Sequence, residues 1–260
     1  MSKDELSAYY PDNYDPYQRG VVDELSAIQK LSRDHEMSRR SERIDRYFDQ
    51  PGKVLDIGCA TGLFLGAMQQ NGWECTGIEP SQYASEYARS QYGLEVVTGT
   101  LEDTQMPSNS FDVVTMWDVL EHVDDPMETL NEVNRLLKPN GLLVVSLPNP
   151  NSVEASIFGD SWIGWDRPRH LNIFSTEVIK KYLDKTGYQF EKVESFGGRL
   201  ALTLMSMDFW IVSKNYNIQR WQKIRTFIYN PVFRVLTWPI YRVLGALNRL
   251  TIMTVFAFKK

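Results

Sequence analysis

The pattern of apolar and polar positions is sharpest around residues 54–68. The run Val54-Leu55-Asp56-Ile57 is apolar apart from one acid, which predicts a short buried strand. A turn containing Gly58 and Gly62 follows at once, and apolar residues at helical spacing occupy positions 63–68. The sequence therefore predicts a strand, a tight turn and a helix whose free N–H groups point into a crevice beside the turn.

The same succession recurs along the chain. Apolar runs predict further strands at residues 75–79, 94–97, 111–116, 142–147, 187–196 and 251–260. Helical patterns lie between them at residues 81–91, 127–137 and 176–186, the second ending before Gly141 as a left-handed cap. Alternating strands and helices favour an α/β fold with a doubly wound parallel sheet.

The first turn restricts the ligand it can hold. Gly58, Ala60 and Gly62 are spaced as G-x-A-x-G, unlike a dinucleotide fingerprint, and no Lys-Ser or Lys-Thr pair follows as in a P-loop. Asp56 would repel a pyrophosphate, whereas Glu79 at the end of the next strand can accept both hydroxyls of a ribose. These features suit a nucleoside that carries an ammonium group and no phosphate, and S-adenosylmethionine is such a ligand.

Three segments carry a resemblance to a known family: VLDIGCATGLFL, GIEPS and FDVVTMWDVLEHVDDPMETLNEVNRLLKPNGLLVVSLPNP. They resemble class I S-adenosylmethionine-dependent methyltransferases, in particular the small-molecule enzymes with an L-E-H-V-x-D-P turn. The resemblance is strong over residues 52–150 and weaker over 167–196. It implies an enzyme of class EC 2.1.1, with a Rossmann-like sheet of seven strands, the last antiparallel, and helices on both faces. Ala60 departs from the glycine that many members have, and we expect one methyl group to be tolerated there.

The resemblance also implies which residues bind the cofactor. Leu101 and Glu102 take the place of an apolar residue and an acid at the adenine edge, although an ordinary helix start at Glu102 is the alternative. Trp117 and Asp118 leave the carboxyl end of a strand, where ligands of open α/β sheets bind. The complete predicted set is Asp56, Gly58, Cys59, Ala60, Gly62, Glu79, Pro80, Ser81, Leu101, Glu102, Trp117 and Asp118.

The methyl acceptor is predicted to lie against residues 149–174, a long connection with little regular pattern. The candidate acceptor-binding residues there are Trp162, Trp165, Arg169 and His170. A hydroxyl acceptor needs a base, for which His170 and His122 are candidates, and the alternative for each is a structural role in its loop. Glu121, His122 and Asp118 could offer ligands to magnesium, but no spaced His/Cys cluster indicates zinc, and we predict no metal.

Length and composition suit one large domain with additions. The chain has 260 residues, 43% of them apolar, and its two cysteines imply no disulfide framework. We expect an N-terminal arm with lid helices at 1–48, a methyltransferase domain at 49–197 and 251–260, and a helical insertion at 198–250. The start lacks the apolar core of a signal peptide and no run of 18 uncharged apolar residues occurs, so a cytoplasmic protein is expected.

Charge is distributed unevenly. Nine of the 28 basic residues and none of the 33 acidic ones lie between Phe209 and Lys260, which leaves 19 and 33 for the rest of the chain. The acidic body argues against nucleic acid as a partner. The insertion is basic and amphipathic, with Pro239 expected to break or bend its last helix. Residues 217–250 therefore suit an anionic membrane surface, reached from the inner face of the membrane; the alternative is that these helices cover the domain's own core or a second subunit of an oligomer.

The sequence thus predicts methyl transfer to an oxygen of a small-molecule or lipid-linked acceptor, such as a glycan on a carrier or a quinone. Two alternatives remain open: N- or C-methylation of another metabolite, and a non-catalytic module that binds the cofactor and is held at a membrane.

Overall fold

The computed structural model describes residues 27–196, 200–228 and 231–260. Of the predicted N-terminal arm with lid helices, 1–48, residues 1–26 therefore lie outside the described residues. Nine α-helices are described: α1 Ala27–Asp45, α2 Leu63–Gln70, α3 Gln82–Tyr92, α4 Pro126–Leu136, α5 Val153–Phe158, α6 Thr176–Lys185, α7 Leu200–Ser213, α8 Ile218–Ile228 and α9 Pro231–Ala246.

One seven-stranded sheet organises the described chain. Its strands are β1 Lys53–Ile57, β2 Glu74–Glu79, β3 Glu95–Thr98, β4 Phe111–Trp117, β5 Leu137–Pro148, β6 Tyr188–Glu194 and β7 Ile252–Lys259. They lie in the order β3-β2-β1-β4-β5-β7-β6. The first five run parallel, and β7 is antiparallel to both β5 and β6. The predicted Rossmann-like fold with an antiparallel last strand is confirmed.

The register of the parallel strands brings the predicted site residues to one edge. Asp56 of β1 lies opposite Thr115 of β4, and Ile57 lies opposite both Ile78 of β2 and Met116 of β4. The residues that follow these strands therefore meet at the carboxyl edge of the sheet, where the chain reverses into the next helix.

The core has two layers, one on each face of the sheet. Val54 and Leu55 are adjacent on β1 and fully buried, yet they belong to separate hydrophobic clusters. Successive side chains of a strand point to opposite faces, so the clusters cover opposite faces of the sheet. α4 and α6 contribute to the first cluster, and α1, α2 and α3 to the second.

Side-chain caps set the start of several helices. Ser81, Asp125 and Ser175 each accept hydrogen bonds from backbone N–H groups in the first turn, as expected of good N-cap residues. One predicted cap needs correction. α4 ends at Leu136 with Leu137 as an extended C-cap, Asn140 with φ 61° lies within β5, and Gly141 has no positive φ. A Cβ at Gly141 would lie 2.9 Å from the Lys138 carbonyl oxygen, so close backbone packing is what requires glycine there.

The insertion forms α7, α8 and α9, as its helical pattern predicted. Pro239 lies inside α9, which continues through it, so a break at this residue is wrong, and a bend there stays a prediction. α9 contacts the rest of the protein through Tyr241, whose hydroxyl lies 2.9 Å from the Thr203 hydroxyl of α7. Among the described residues, none of the helices is both long enough and apolar enough to span a bilayer.

Candidate active site

Asp56 is a buried acid at the carboxyl end of β1, only 2% exposed. The Thr115 hydroxyl of the neighbouring strand donates a 2.6 Å hydrogen bond to its Oδ1. Burial raises the pKa of Asp56 to about 7, against the smaller lowering effects of Thr115 and the Arg40 guanidinium. The carboxyl is thus poised to ionise when a cation binds beside it.

The turn after β1 contains three residues of positive φ: Gly58 at 72°, Ala60 at 47° and Gly62 at 79°. The methyl group of Ala60 is accommodated, but an L-residue pays a conformational cost in this region. The space beside Gly62 is filled by the protein's own side chains. A Cβ there would lie 2.7 Å from the Leu94 side chain, so Gly62 allows α2 to pack closely against its neighbours.

Glu79 joins the glycine turn to the turn after β2. Its Oε2 accepts a 2.9 Å hydrogen bond from the Ala60 N–H, and its Oε1 accepts a 2.8 Å hydrogen bond from the Ser81 N–H. A carboxylate has about four acceptor positions, and each of these two bonds occupies one of them. Cys59 is buried beside this carboxylate, and burial raises the pKa of its thiol well above the usual range, whereas Pro80 is exposed.

Trp117 and Asp118 lie at the carboxyl end of β4, as predicted. The Trp117 ring packs edge-on against Phe64 of α2, with centroids 5.2 Å apart, and the Arg40 guanidinium lies 4.4 Å from its centroid. The Ser146 hydroxyl donates to Asp118 Oδ1 at 2.9 Å. Arg40 cannot be identified from the sequence, because nothing in the charged pattern of α1 distinguishes it from its neighbours.

Leu101 and Glu102 begin a short 3₁₀ helix, Leu101–Asp103, capped by Thr100 and Asp103. The alternative to a contact with adenine was an ordinary helix start at Glu102, and this local geometry matches that alternative. Leu101 is buried in the core, and Glu102 is exposed beside a groove of about 450 Å³ bordered by α4. The adenine role of this pair stays a prediction.

The acceptor segment is fixed to the turn after β4 by backbone hydrogen bonds. The N–H groups of Leu171 and Asn172 both donate to the Glu121 carbonyl oxygen, at 2.9 and 3.0 Å. The Asn172 side-chain amide also donates to the Val123 carbonyl oxygen at 2.7 Å. Residues 149–174, expected to lack regular structure, contain α5 and two 3₁₀ turns, Gly159–Ser161 and Ile163–Trp165.

This attachment brings the two candidate histidines together, with ring centroids 4.7 Å apart. His122 Nδ1 lies 2.9 Å from the Arg169 carbonyl oxygen, and His170 Nδ1 lies 2.8 Å from the Gly164 carbonyl oxygen. A carbonyl can only accept, so each Nδ1 donates, and Nε2 is the atom that carries the lone pair whenever the ring is neutral. The Nε2 of His170 lies 3.8 Å from Asp166 Oδ2. Burial, followed by the neighbouring imidazole of His170, lowers the pKa of His122 to about 4, so His122 is neutral at pH 7.

Glu121 is a buried acid beside the histidines, 1% exposed, and burial raises its pKa well above the usual range. Neither carboxyl oxygen meets hydrogen-bond geometry with another described residue. Ligand atoms of Glu121, His122 and His170 lie within 4.8 Å of one another, so these residues could hold a divalent metal ion. The prediction of no metal is untested. Glu121 and His122 are two of the three possible magnesium ligands named from the sequence, and the structure groups them with His170 in place of Asp118.

The remaining acceptor residues differ in exposure. Trp162 is 2% exposed and supports the segment from beneath, packing edge-on against Trp165 at 5.7 Å. The Trp165 indole N–H donates to the Gly159 carbonyl oxygen at 3.0 Å. Arg169 is paired with Asp166 at 2.7 Å. Trp165, Arg169 and His170 are therefore the partly exposed members of this group.

The fold and the carboxyl-edge site define the class of protein as a class I S-adenosylmethionine-dependent methyltransferase. The sequence profile of the family described as methyltransferase domain matches residues 30–193. The chain therefore belongs to the methyltransferase domain family. This confirms two predictions from the sequence: the protein is a methyltransferase, and its cofactor is S-adenosylmethionine.

Curated relatives share part of the chain. Ubiquinone biosynthesis O-methyltransferase of Haemophilus ducreyi is 34% identical over 151 residues, or 54% of this chain and 58% of that protein. The mitochondrial enzyme of the same description from Schizosaccharomyces pombe is 38% identical over 102 residues, or 36% of this chain and 37% of that protein. The chain thus spans about a third to three fifths of the length of these relatives.

A solved structure matches almost the whole chain. It is magnesium protoporphyrin IX methyltransferase from Synechocystis PCC 6803 with bound SAH, at a TM-score of 0.61 and 14% identity, with 99% of each chain covered. At this identity the likeness establishes the fold. The insertion helices lie within that span.

The residues at the glycine turn fit S-adenosylmethionine on their own chemistry. Two buried carboxyls, Asp56 and Glu79, flank the positive-φ turn, which suits a cationic nucleoside and disfavours phosphate. The Trp117 indole N–H is buried without a hydrogen-bond partner among the described residues, which leaves one donor for a ligand at this edge.

Proposed function

We propose that this chain transfers a methyl group from S-adenosylmethionine to an oxygen of a small or lipid-linked acceptor of quinone-like, phenolic character. The observation that carries the proposal is the paired histidines at the carboxyl edge, each with Nδ1 engaged by a carbonyl. A phenolic hydroxyl must lose its proton to become a good methyl acceptor, and a neutral imidazole with a free lone pair is suited to remove it.

The cofactor residues have separate tasks. Glu79 accepts the ribose hydroxyls, and Asp56 offers a negative charge toward the ammonium group. S-adenosylmethionine, when bound, supplies an electrophilic methyl group on a sulfonium with a neutral leaving group. The protein's main contribution is then to hold the two reactants in line and to exclude water.

His170 is the base in this proposal. Its Nε2 takes the proton from the acceptor hydroxyl, and the oxygen keeps the electron pair that forms the new bond to the methyl carbon. Because the pKa of His122 is lowered to about 4, His122 is a poor base at neutral pH. We assign it to holding the acceptor segment through its hydrogen bond to the Arg169 carbonyl oxygen. Trp165 and Arg169 border the acceptor.

The quinone-like class is supported by the names of the relatives, which are ubiquinone biosynthesis O-methyltransferases. Those relatives share only part of their length with this chain. Their names therefore support the acceptor class only in combination with the histidine pair of the site.

The test is a methyl-transfer assay with the full chain. Labelled S-adenosylmethionine is supplied with a lipid extract, and mass spectrometry locates the methyl group in any product. We expect an O-methylated phenol and matching release of S-adenosylhomocysteine. A product methylated on nitrogen or carbon would favour the first alternative. Tight cofactor binding by calorimetry without any product would favour the non-catalytic module.

A further inference from the structure

We propose that the insertion helices form an interfacial membrane-binding surface that docks on an anionic lipid bilayer, with α9 as its main contact. This inference is independent of the methyl acceptor. It rests on which face of α9 is exposed, on the sign of the surrounding charge and on the position of aromatic side chains.

The apolar side chains of α9 face solvent. Five of them, together with the adjoining Leu247, are between 47 and 72% exposed: Val235, Leu236, Trp238, Ile240, Val243 and Leu247. At about 100° per residue, the aliphatic members fall within an arc of roughly 140°. A surface helix of a globular protein ordinarily turns such a stripe toward its own core.

The face that α9 turns toward the protein is narrower and mixed. Phe233, Thr237, Tyr241 and Leu244 are partly buried there. The Tyr241 hydroxyl bonds to Thr203, and a Cβ at Gly245 would lie 2.8 Å from the Ser195 carbonyl oxygen. The helix is therefore anchored through this closely packed face. Its aliphatic stripe lies on the other side of the helix, where the domain's own core does not cover it.

The charge on this part of the chain has one sign. From Phe209 to Leu250 the sequence contains seven basic residues and no acidic ones. Asp208 lies just before this stretch, where it accepts from the buried Trp221 indole at 2.6 Å and pairs with Arg225 at 3.4 Å. Arg220 and Lys223 of α8 form no ion pair with any described residue and are exposed. A surface of this composition attracts anionic headgroups.

Aromatic residues complete the pattern. The Arg242 guanidinium lies 4.8 Å from the centroid of the exposed Trp238 ring, at the edge of the aliphatic stripe. Phe227 of α8 is exposed and packs against Phe233 of α9 at 5.5 Å, which ties the two helices together. Helices that lie in the plane of a membrane interface have an aliphatic stripe, aromatic side chains at its edge and basic residues beside it.

A membrane fits this surface better than a second copy of the chain. A stripe flanked only by cations would meet another cationic stripe in a symmetric dimer, and like charges would face each other. Docking on a bilayer instead places the exposed cations, such as Arg220, Lys223 and Arg242, against lipid phosphate. It would also present the site to acceptors that stay in the membrane, and this last step alone depends on the proposed function.

The first experiment is co-sedimentation of the full chain with phosphatidylglycerol-rich and with pure phosphatidylcholine vesicles, at low and high salt. We expect binding to the anionic vesicles that weakens at high salt and is small on phosphatidylcholine. The double variant Leu236→Ser/Val243→Ser should lower partitioning about tenfold or more, because both side chains are exposed in the free protein. Arg242→Gln should lower it about fivefold on anionic vesicles.

The matched control is Leu31→Ser/Val178→Ser, which removes two exposed apolar side chains elsewhere on the protein and should leave binding unchanged. Equal loss in both double variants, or unchanged binding in Leu236→Ser/Val243→Ser, would overturn the proposal. So would a wild-type chain that ignores the vesicles, or a dimer in solution that Leu236→Ser/Val243→Ser converts to monomer.

A second measurement guards against misfolding of the serine variants. Brominated lipid quenches indole fluorescence within the interface, and Trp238→Phe is a mild change at an exposed position. We expect quenching on anionic vesicles in the parent and a smaller quenched fraction in Trp238→Phe. The same quenched fraction in both proteins would show that α9 is not the part in contact with lipid.

Discussion

The two sides of the candidate site lie at one edge of the sheet but are built differently. On the cofactor side, residues 56–81 form a continuous strand-turn-helix-strand unit, and Glu79 ties its two turns together. On the histidine side, two distant segments meet, with His122 and Arg169 separated by 47 positions. The first side is specified locally, whereas the second exists only once the fold is complete.

This difference has a physical consequence for mutations. The cofactor side holds its shape through backbone N–H groups and a buried carboxylate, so single substitutions should change affinity by moderate amounts. The histidine side places its groups by contacts between loops. A change there should act mainly on turnover, because it alters the reacting geometry without touching the glycine turn.

The largest expected effect is at His170. In His170→Asn the side-chain amide can still donate to the Gly164 carbonyl oxygen from near the former position of Nδ1. The Nε2 lone pair is lost. We expect kcat to fall about 10²- to 10⁴-fold, the usual contribution of a general base, with S-adenosylmethionine affinity unchanged in calorimetry. His122→Asn is the paired variant and should cost less, since it retains the bond to the Arg169 carbonyl oxygen. Equal losses in the two variants would contradict the division of roles.

The second prediction concerns Asp56 and pH. Its pKa is about 7 in the folded protein against an ordinary value of 3.8, so the folded state holds the proton more tightly than the unfolded state. Stability of the ligand-free protein therefore falls as pH rises from 4 through 7, by at most about 4 kcal/mol from this group. Asp56→Asn should remove that part of the decline, measured by urea unfolding at several pH values. A variant whose stability declines in parallel with the parent would show that Asp56 ionises normally.

The third prediction tests the cofactor side through Glu79. Glu79→Ala should weaken S-adenosylmethionine binding by on the order of 1.5–3 kcal/mol, the value of a hydrogen bond to a charged group. Glu74→Ala is the control, since Glu74 lies at the opposite end of β2 and pairs on the surface with Lys53. Calorimetry of the two variants decides the assignment. Matching affinities would remove Glu79 from the cofactor site.

The smallest effect is expected at Ala60. With φ at 47°, the residue occupies the left-handed region, where an alanine costs about 1–2 kcal/mol. Ala60→Gly relieves that cost but makes the unfolded chain more flexible, so we expect a net gain of about 0.5 kcal/mol in stability. Ala67→Gly, inside α2, should lose about 1 kcal/mol by contrast. Thermal unfolding that shows equal losses for both would mean that the turn has another conformation.

Sequence reasoning reached the fold because periodicity and turn residues report on it directly. The alternation around β1 and β2 and the caps at Asp125 and Ser175 depend only on neighbours in the chain. The contact between His122 and His170 was out of reach, because it depends on the Leu171 and Asn172 N–H groups bonding to the Glu121 carbonyl oxygen. Amphipathicity located the stripe of α9 but could not show that the stripe faces outward.

The position of β7 has a consequence for how the molecule assembles. β7 lies between β5 and β6, yet it is the last of the three to be synthesised, after the whole helical insertion. Until residues 252–259 leave the ribosome, β6 lacks the strand it pairs with and the apolar edge of β5 stays open. Lengthening the connection costs little at equilibrium, about 0.6 kcal/mol for each doubling of a flexible loop. The longer connection does prolong the interval in which an unpaired strand edge can recruit another nascent chain. The insertion therefore lowers the yield of folded protein more than it lowers the free energy of unfolding.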